Sequence, residues 1–184
     1  SLLIKKEFSI IERTIIKVNS NSSNNPFSEY PYALNEVTIQ RKDTTSLLNI
    51  SCQINDNYLT NYWSDGLIIS TPTGSTGYSL SNGGSIVSPE SNVILLNPIA
   101  PHNINMRSLV IPDNSKIKID IEGSNNINLS LDSRMYSVNS SNQIEISKAD
   151  FSVKTIKFAD DNFYKRLREK LFWGQDMRNK NLKK

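Results

Sequence analysis

The residues best suited to bind a ligand lie between Asp65 and Gly84. An apolar run at 67–70 leads into hydroxylated residues and glycines at 71–77, and a short helix is predicted around 78–81. Such a stretch presents backbone N–H groups and hydroxyls, and its small side chains let a ligand approach closely. It therefore suits a polyhydroxyl or phosphate-bearing ligand. The run matches neither of the two common glycine-rich phosphate motifs, so a plain strand–turn–helix connection remains the alternative on composition.

A second polar feature interrupts the apolar run at 33–40, where the amide of Asn35 stands beside the carboxylate of Glu36. Successive residues of a strand point to opposite faces, so one of the two side chains should face inward unless the pair lies at the strand end. A buried polar group needs a partner. The pair is therefore either a solvated strand end or part of a binding site. Asp65 is likewise either a turn or capping residue or a ligand-binding carboxylate.

The composition excludes several kinds of site. The 184 residues include one cysteine, Cys52, and one histidine, His102, which rules out a disulfide framework and a histidine–cysteine metal cluster. Lysine and arginine number 21 against 18 aspartate and glutamate residues, and a net charge of +3 is too small to indicate a nucleic-acid partner. The sequence contains no membrane-length apolar run and no signal-peptide pattern. We therefore expect a soluble, cytoplasmic protein that binds neither nucleic acid nor membrane.

The elements that must position these residues are mainly strands. Apolar and polar residues alternate in short runs separated by Asn, Ser, Pro and Gly turns, which is typical of a β-sandwich or barrel. Residues 116–121 show the pattern most clearly, with three isoleucines on one face and three charged residues on the other. The runs are 8–18, 33–40, 47–54, 67–70, 93–96, 116–121, 127–131, 143–147 and 151–158.

Two segments depart from the strand pattern. Residues 19–31 are predicted to be a polar, mobile loop that buries almost nothing. Residues 160–177 are predicted to be an amphipathic helix, because Phe163, Leu167 and Leu171 recur at a spacing of four and basic residues increase toward its end. The apolar stripe of this helix must cover another surface.

Three motifs, in this order, resemble bacterial NAD kinases. They are Asn35-Glu36-Val37, the block from Ser64 to Ser81 that continues to Gly83-Gly84, and Pro98-Ile99-Ala100-Pro101-His102 followed by Arg107. The order and spacing match over nearly the whole chain, and residues 163–174 are similar to the end of those enzymes. The long block is the most specific of the three, and it favours a binding site over a plain turn.

The resemblance implies roles for individual residues. Asn35 would contact the adenine edge of NAD, Glu36 a ribose hydroxyl and Asp65 the nicotinamide carboxamide. Arg134 is a further NAD-binding candidate, although it stands where the family usually has glutamine, and His102 matches a family histidine that we expect to be structural. The remaining NAD contacts would come from the loop, with the Tyr78 ring against a base: Thr73, Thr76, Gly77, Tyr78, Ser79, Leu80 and Ser81.

The activity implied is transfer of the ATP γ-phosphoryl group to the 2'-hydroxyl of the adenosine ribose of NAD, giving NADP. ATP would carry Mg²⁺ or another divalent cation, and the family is commonly a homodimer or homotetramer. The GGDGT motif that holds the family's catalytic aspartate is absent from this sequence and is expected upstream, in a Rossmann-like domain. We therefore assign no catalytic or metal-binding residue to this chain, and we expect the chain alone to be inactive.

The implied fold is an antiparallel β-sandwich with a C-terminal helix. Residues 1–158 would form the NAD-binding sandwich, and 159–184 a helix and basic tail that pack on the N-terminal domain. Two alternatives remain, a non-catalytic dinucleotide-binding or oligomerisation module and a lipid kinase of the same superfamily. The Thr-Pro-Thr-Gly-Ser-Thr-Gly-Tyr run at 71–78 argues against the lipid kinase.

Overall fold

The computed structural model describes residues 8–22, 25–42, 46–122, 127–139, 143–159 and 161–174. The chain divides into two compact units, one from Glu12 to Val153 and one made of its two ends, 1–11 and 154–184. The boundary predicted at residue 158 therefore falls within the unit formed by the two ends.

The described residues form strands and two short helices. The strands are β1 (Phe8–Arg13), β2 (Ile16–Ser20), β3 (Tyr32–Ala33), β4 (Glu36–Arg41), β5 (Leu48–Ile54), β6 (Asn57–Ser64), β7 (Gly66–Ser70), β8 (Val93–Ile99), β9 (Leu109–Pro112), β10 (Ile117–Glu122), β11 (Ile127–Leu131), β12 (Arg134–Val138), β13 (Ile144–Lys148) and β14 (Val153–Phe158). The helices are α1 (Tyr78–Ser81), as predicted, and α2 (Phe163–Lys170), and a 3₁₀ turn spans Gly74–Thr76.

The unit from Glu12 to Val153 is a sandwich of two six-stranded sheets. One has the strand order β3-β2-β13-β10-β5-β6 and the other β12-β11-β4-β7-β8-β9, and neighbouring strands are antiparallel. Strand β10 has the predicted faces, because Ile117, Ile119 and Ile121 are buried while the residues between them are partly exposed. Apolar side chains from both sheets form one core cluster. The predicted antiparallel sandwich is confirmed.

Strands β6, β9 and β12 are missing from the sequence prediction. Each of them ends a sheet in the strand order, and an edge strand buries little surface, so its polar and apolar residues alternate weakly. The run predicted at 8–18 is two strands, because the chain leaves β1 at Thr14 and β2 joins a different sheet.

The polar segment at 19–31 is anchored by one aromatic residue. Phe27 is 1% exposed and belongs to the core cluster, where its ring meets that of Tyr136 edge-on with centroids 5.4 Å apart. The Phe27 N–H donates to Oδ1 of Asn25 over 3.0 Å, which fixes the turn that carries the ring inward. The prediction that this segment buries almost nothing is therefore wrong; residues 23 and 24 lie outside the described residues.

The unit formed by the chain ends contains a two-stranded sheet of β1 and β14, followed by α2. Asn162 caps α2, because its side-chain oxygen accepts from the N–H groups of Tyr164 and Lys165 at 2.9 and 3.3 Å. The helix is shorter than predicted at its C-terminal end, and residues 160 and 175–177 lie outside the described residues. No residue of α2 is buried; Phe163 and Leu167 are half-buried, and Leu171, just after the helix, is exposed. Neither helix among the described residues has the length and hydropathy that a membrane crossing requires.

Candidate functional site

The hydroxyl- and glycine-rich segment at 71–77 follows β7 and is hydrogen-bonded to the residues that precede β4. The Thr71 N–H donates to the carbonyl oxygen of Asn35 over 2.9 Å, and the Thr71 hydroxyl donates to that of Leu34 over 2.6 Å. The same hydroxyl oxygen accepts from the Gly74 N–H at 3.2 Å. Thr71 therefore brings together two motifs that are more than thirty residues apart in sequence.

Gly74 is required by the closeness of this contact. A Cβ atom at position 74 would lie 2.1 Å from the carbonyl oxygen of Asn35, which is backbone and cannot turn aside. Gly77 is less constrained, since a Cβ there would lie 3.2 Å from both Oε2 of Glu36 and the carbonyl oxygen of Gly74. The glycine at 74 thus serves close packing of two backbone segments.

Glu36, the first residue of β4, directs its carboxylate toward the turn at Gly77. Its Oε2 atom is buried and has no hydrogen-bond partner among the described residues. Burial raises the pKa of Glu36 above its ordinary value, and the negative charge of Asp132 raises that pKa further. A buried acceptor without a donor is unfavourable, so Oε2 is a ready acceptor for a hydroxyl group of a ligand.

The N–H groups of residues 34–36 point to Asp132, which lies between β11 and β12. Its carboxylate accepts from the N–H groups of Leu34, Asn35 and Glu36 at 2.9, 2.7 and 3.2 Å. Asp132 is not among the site residues predicted from the sequence. The signal that could have found it is an aspartate between two strand-like runs, a position that suits turns and backbone hydrogen bonding.

The predicted contact residues of the loop and of α1 differ in their exposure. Tyr78 is 39% exposed, and its hydroxyl oxygen accepts from the side-chain amide of Gln40 over 2.7 Å. Ser79 is fully buried, and its carbonyl oxygen accepts from the amide of Asn97 at 3.0 Å. The other predicted contacts are more open: Thr76, Gly77 and Ser81 are exposed, while Thr73 and Leu80 are half-buried.

Asp65 lies between β6 and β7 and is paired with a cation. Its Oδ2 atom is 3.0 Å from Nη2 of Arg41 at the end of β4, and both side chains are partly exposed. Gln40, which holds the Tyr78 hydroxyl, is opposite Gly66 in the ladder between β4 and β7. The ladder therefore places the Asp65-Gly66 motif and Tyr78 on the same part of the sheet.

The hydrogen bonds of Arg134 and His102 go to residues outside the loop at 71–77. The Arg134 guanidinium donates to the carbonyl oxygen of Tyr30 over 2.9 Å and to that of Tyr32, and it lies 4.4 Å from the centre of the Tyr30 ring. The His102 ring is exposed, and its backbone N–H donates to the carbonyl oxygen of Trp63. Arg134 thus ties down the chain that leads into β3, and its role as an NAD contact stays a prediction.

The profile of the ATP-NAD kinase C-terminal domain matches residues 34–158, which include β4, β7, α1 and the turn at Asp132. The chain belongs to the ATP-NAD kinase family. The resemblance noted from the sequence motifs is thereby confirmed.

Members of the ATP-NAD kinase family are similar to this chain over nearly its whole length. An NAD kinase of Flavobacterium psychrophilum is 47% identical over 179 residues, which are 97% of this chain and 61% of that protein. An NAD kinase of Flavobacterium johnsoniae is 46% identical, over 96% of this chain and 60% of that protein. The chain therefore spans about 60% of the length of these relatives.

Two solved structures of the family have the same fold. A yeast NADH kinase complexed with NADH is 29% identical, with a TM-score of 0.84 over 95% of this chain and 52% of that one. An NAD kinase from Archaeoglobus fulgidus, in complex with ATP, has a TM-score of 0.74 over 91% of this chain and 63% of that one, at 22% identity. The second similarity concerns the fold alone.

Proposed function

We propose that this chain is the NAD-binding part of an NAD kinase, which transfers the γ-phosphoryl group of ATP to the 2'-hydroxyl of the adenosine ribose of NAD. The observation that carries the proposal is the unpartnered Oε2 atom of Glu36, held beside Asn35 and the turn at Gly77. The membership in the ATP-NAD kinase family supports it.

The geometry fits the parts of a dinucleotide. Asn35 offers an amide that can both donate to and accept from an adenine edge, and Glu36 offers a buried acceptor for a ribose O–H. The exposed backbone at Thr76 and Gly77 leaves room for a ligand to lie against the turn. The partly exposed Tyr78 ring supplies a flat apolar face for a base.

Asp65 completes the proposed contacts. One of its oxygens faces Arg41, and a carboxylate has further lone pairs to accept an N–H of the nicotinamide carboxamide. In this arrangement the residues of this chain bind and orient the dinucleotide.

In the proposed reaction the 2'-oxygen forms a bond to the γ-phosphorus, the bond from that phosphorus to the β,γ-bridging oxygen breaks, and the hydroxyl proton leaves to a base. The described residues contain no group of three or more histidine, cysteine, aspartate or glutamate side chains placed to hold a metal ion. We therefore assign no metal ligand among them. A divalent cation would accompany ATP.

We further propose a cytoplasmic homodimer or homotetramer. Tyr58 and Trp63 on β6 are 66% and 52% exposed, on a strand that ends its sheet. Exposed aromatic side chains of this kind are typical of surfaces between subunits. Light scattering of the purified protein measures the oligomer size, and a monomer would contradict this part of the proposal.

The test is an NADP-formation assay with the protein expressed from its complete coding sequence, ATP, NAD and Mg²⁺. We expect turnover in the wild type and a large loss in Glu36→Ala. Glu145→Gln, which removes an exposed carboxylate on the opposite sheet, serves as the matched control and should be unaffected.

The same assay separates the alternatives. Binding of NAD by calorimetry without formation of NADP would support the non-catalytic module. Phosphorylation of a lipid hydroxyl in place of NAD would support a lipid kinase. Either result would contradict the proposed function.

A further inference from the structure

Asp132 makes four hydrogen bonds to one short backbone segment. Its Oδ2 atom accepts from the Leu34 N–H, and its Oδ1 atom accepts from the N–H groups of Asn35 and Glu36. The Asp132 N–H in turn donates to the Glu36 carbonyl oxygen over 3.0 Å. The turn between β11 and β12 and the segment at 34–36 are therefore held together through both backbone and side chain.

The position selects an aspartate for two reasons. Its φ of +51° lies in the left-handed region, which aspartate, asparagine and glycine adopt more readily than other residues. Three N–H donors require a group with two acceptor oxygens, and a carboxylate has them whereas an asparagine side chain has one. Hydrogen bonds to an ionised acceptor are also stronger than neutral ones.

We propose that Asp132 is the positioning residue of the dinucleotide site, fixing the backbone of Asn35 and Glu36 so that their side chains meet the ligand. The inference rests on the proposed function. Asp132 itself does not contact NAD in this scheme. It acts through the N–H groups of the segment that carries both ligand contacts.

Asp132 also sets the electrostatic surroundings of Glu36. The turn that faces Glu36 carries two charged groups, Asp132 and Arg134, and the guanidinium of Arg134 is bound to the carbonyl oxygens of Tyr30 and Tyr32. The segment at 71–77 on the other side has no titratable side chain. The charge of Asp132 raises the pKa of Glu36 in addition to the effect of burial. Neutralising Asp132 should therefore lower that pKa.

The test compares Asp132→Asn with a matched control, in the protein expressed from its complete coding sequence. The control is Asp56→Asn, at another turn aspartate with positive φ, whose carboxylate pairs with Lys118. We expect the Kd for NAD to rise about 10-fold or more in Asp132→Asn, because loss of a charged acceptor leaves an N–H group unpaired. Asp56→Asn should leave the Kd unchanged.

The pH dependence of binding separates positioning from a merely structural role. An acceptor must be ionised to bind a hydroxyl most strongly, so NAD affinity should fall as pH drops through the pKa of Glu36. In Asp132→Asn this fall should move to lower pH, while hydrogen exchange at residues 34–36 becomes faster. A looser fold alone would raise the Kd without moving the pH at which affinity falls.

Each outcome decides between the two proposals. A wild type that does not bind NAD would contradict the proposed function, and the role of Asp132 would fall with it. A wild type that binds, together with an Asp132→Asn variant of unchanged Kd and pH dependence, would overturn the role of Asp132 alone. If Asp132→Asn does not fold, Asp132→Glu serves in its place, because it keeps the charge but moves the carboxylate. This variant should bind NAD more weakly, while the pH dependence of binding stays near that of the wild type. Failure of both variants to fold would show a role in folding alone and would overturn the proposal.

Discussion

The guanidinium of Arg41 lies 3.0 Å from the carboxylate of Asp65, from Nη2 to Oδ2. The backbone repeats the contact, since the Arg41 N–H donates to the Asp65 carbonyl oxygen over 3.0 Å. Both side chains are about a quarter to a third exposed, so the pair contributes little to stability. Its consequence is orientation, because the pair holds Oδ2 of Asp65 toward Arg41.

Replacing Asp65 by asparagine should affect binding and leave the chemical step nearly intact. The substitution keeps the size of the side chain and removes the charge of the acceptor. A hydrogen bond to a charged group is worth roughly 1.5–3 kcal/mol, so KM for NAD should rise about 10- to 100-fold with a much smaller change in kcat. Steady-state kinetics checks this, with exposed Asp150→Asn as the control. A kcat loss above about 10³-fold at normal KM would show that Asp65 is the base.

Glu36→Gln should stabilise the protein while it weakens NAD binding. Because the pKa of Glu36 is raised, the native state holds its proton to higher pH than the unfolded state does. The stability that this shift contributes is therefore present in full below the ordinary pKa of glutamate, and it is lost as pH rises through the raised pKa of Glu36. Glutamine does not titrate, so the gain in Tm of Glu36→Gln over the wild type should grow with pH. It should reach about 1–3 °C at pH 8. The gain is small because the carboxylate of Glu36 is only half buried. Thermal melts from pH 4 to 8 measure it, and an advantage that shrinks with pH would contradict the reasoning.

Alanine should be far more destabilising at Gly74 than at Gly77. In Gly74→Ala the new Cβ would lie 2.1 Å from a backbone oxygen, so the loop must shift away from Asn35. We expect a loss of about 3 kcal/mol in the free energy of unfolding. In Gly77→Ala the new Cβ would lie 3.2 Å from Oε2 of Glu36 and 3.2 Å from the carbonyl oxygen of Gly74. A shift of a few tenths of an ångström relieves both contacts, so the loss should stay below about 1 kcal/mol. Urea denaturation of both variants tests the difference, and equal losses would refute it.

Arg134→Gln should loosen the segment before β3 more than it weakens NAD binding. The substitution removes the stacking on Tyr30 and replaces a guanidinium that reaches two carbonyl oxygens. We expect about 1–3 kcal/mol less stability and faster hydrogen exchange around Tyr32. A Kd for NAD that rises tenfold with unchanged stability would instead make Arg134 a direct contact, as the family resemblance suggested.

Interior strands were predictable from the sequence because burial imposes a strict alternation on them, as in β10 with Ile117, Ile119 and Ile121. The edge strand β12 was not, since its outer residues meet solvent and Met135 is 66% exposed. Phe27 was missed because a single buried ring in a polar segment produces no periodic pattern. Both β12 and Phe27 depend on contacts with residues distant in the sequence, which leave no local pattern.

In the candidate site, too, some residues could be predicted from the local sequence and others could not. The loop at 71–77 and the Asn35-Glu36 pair could be found from local residue types. The role of Asp132 could not, because its three N–H partners are nearly a hundred residues away in the chain. Nor does the sequence reveal that Arg41 neutralises Asp65, a contact set by the register between β4 and β7.

Strands β11, β4 and β7 are adjacent in their sheet and are flanked by further strands on both sides. The carboxylate of Glu36, the turn at Asp132 and the loop after β7 all lie at the ends of these three strands. A ligand therefore meets a rigid surface and displaces solvent from it, with little ordering of the chain on arrival. Association with NAD should follow single-step kinetics whose rate rises in proportion to ligand concentration, without the plateau that a slow conformational change imposes.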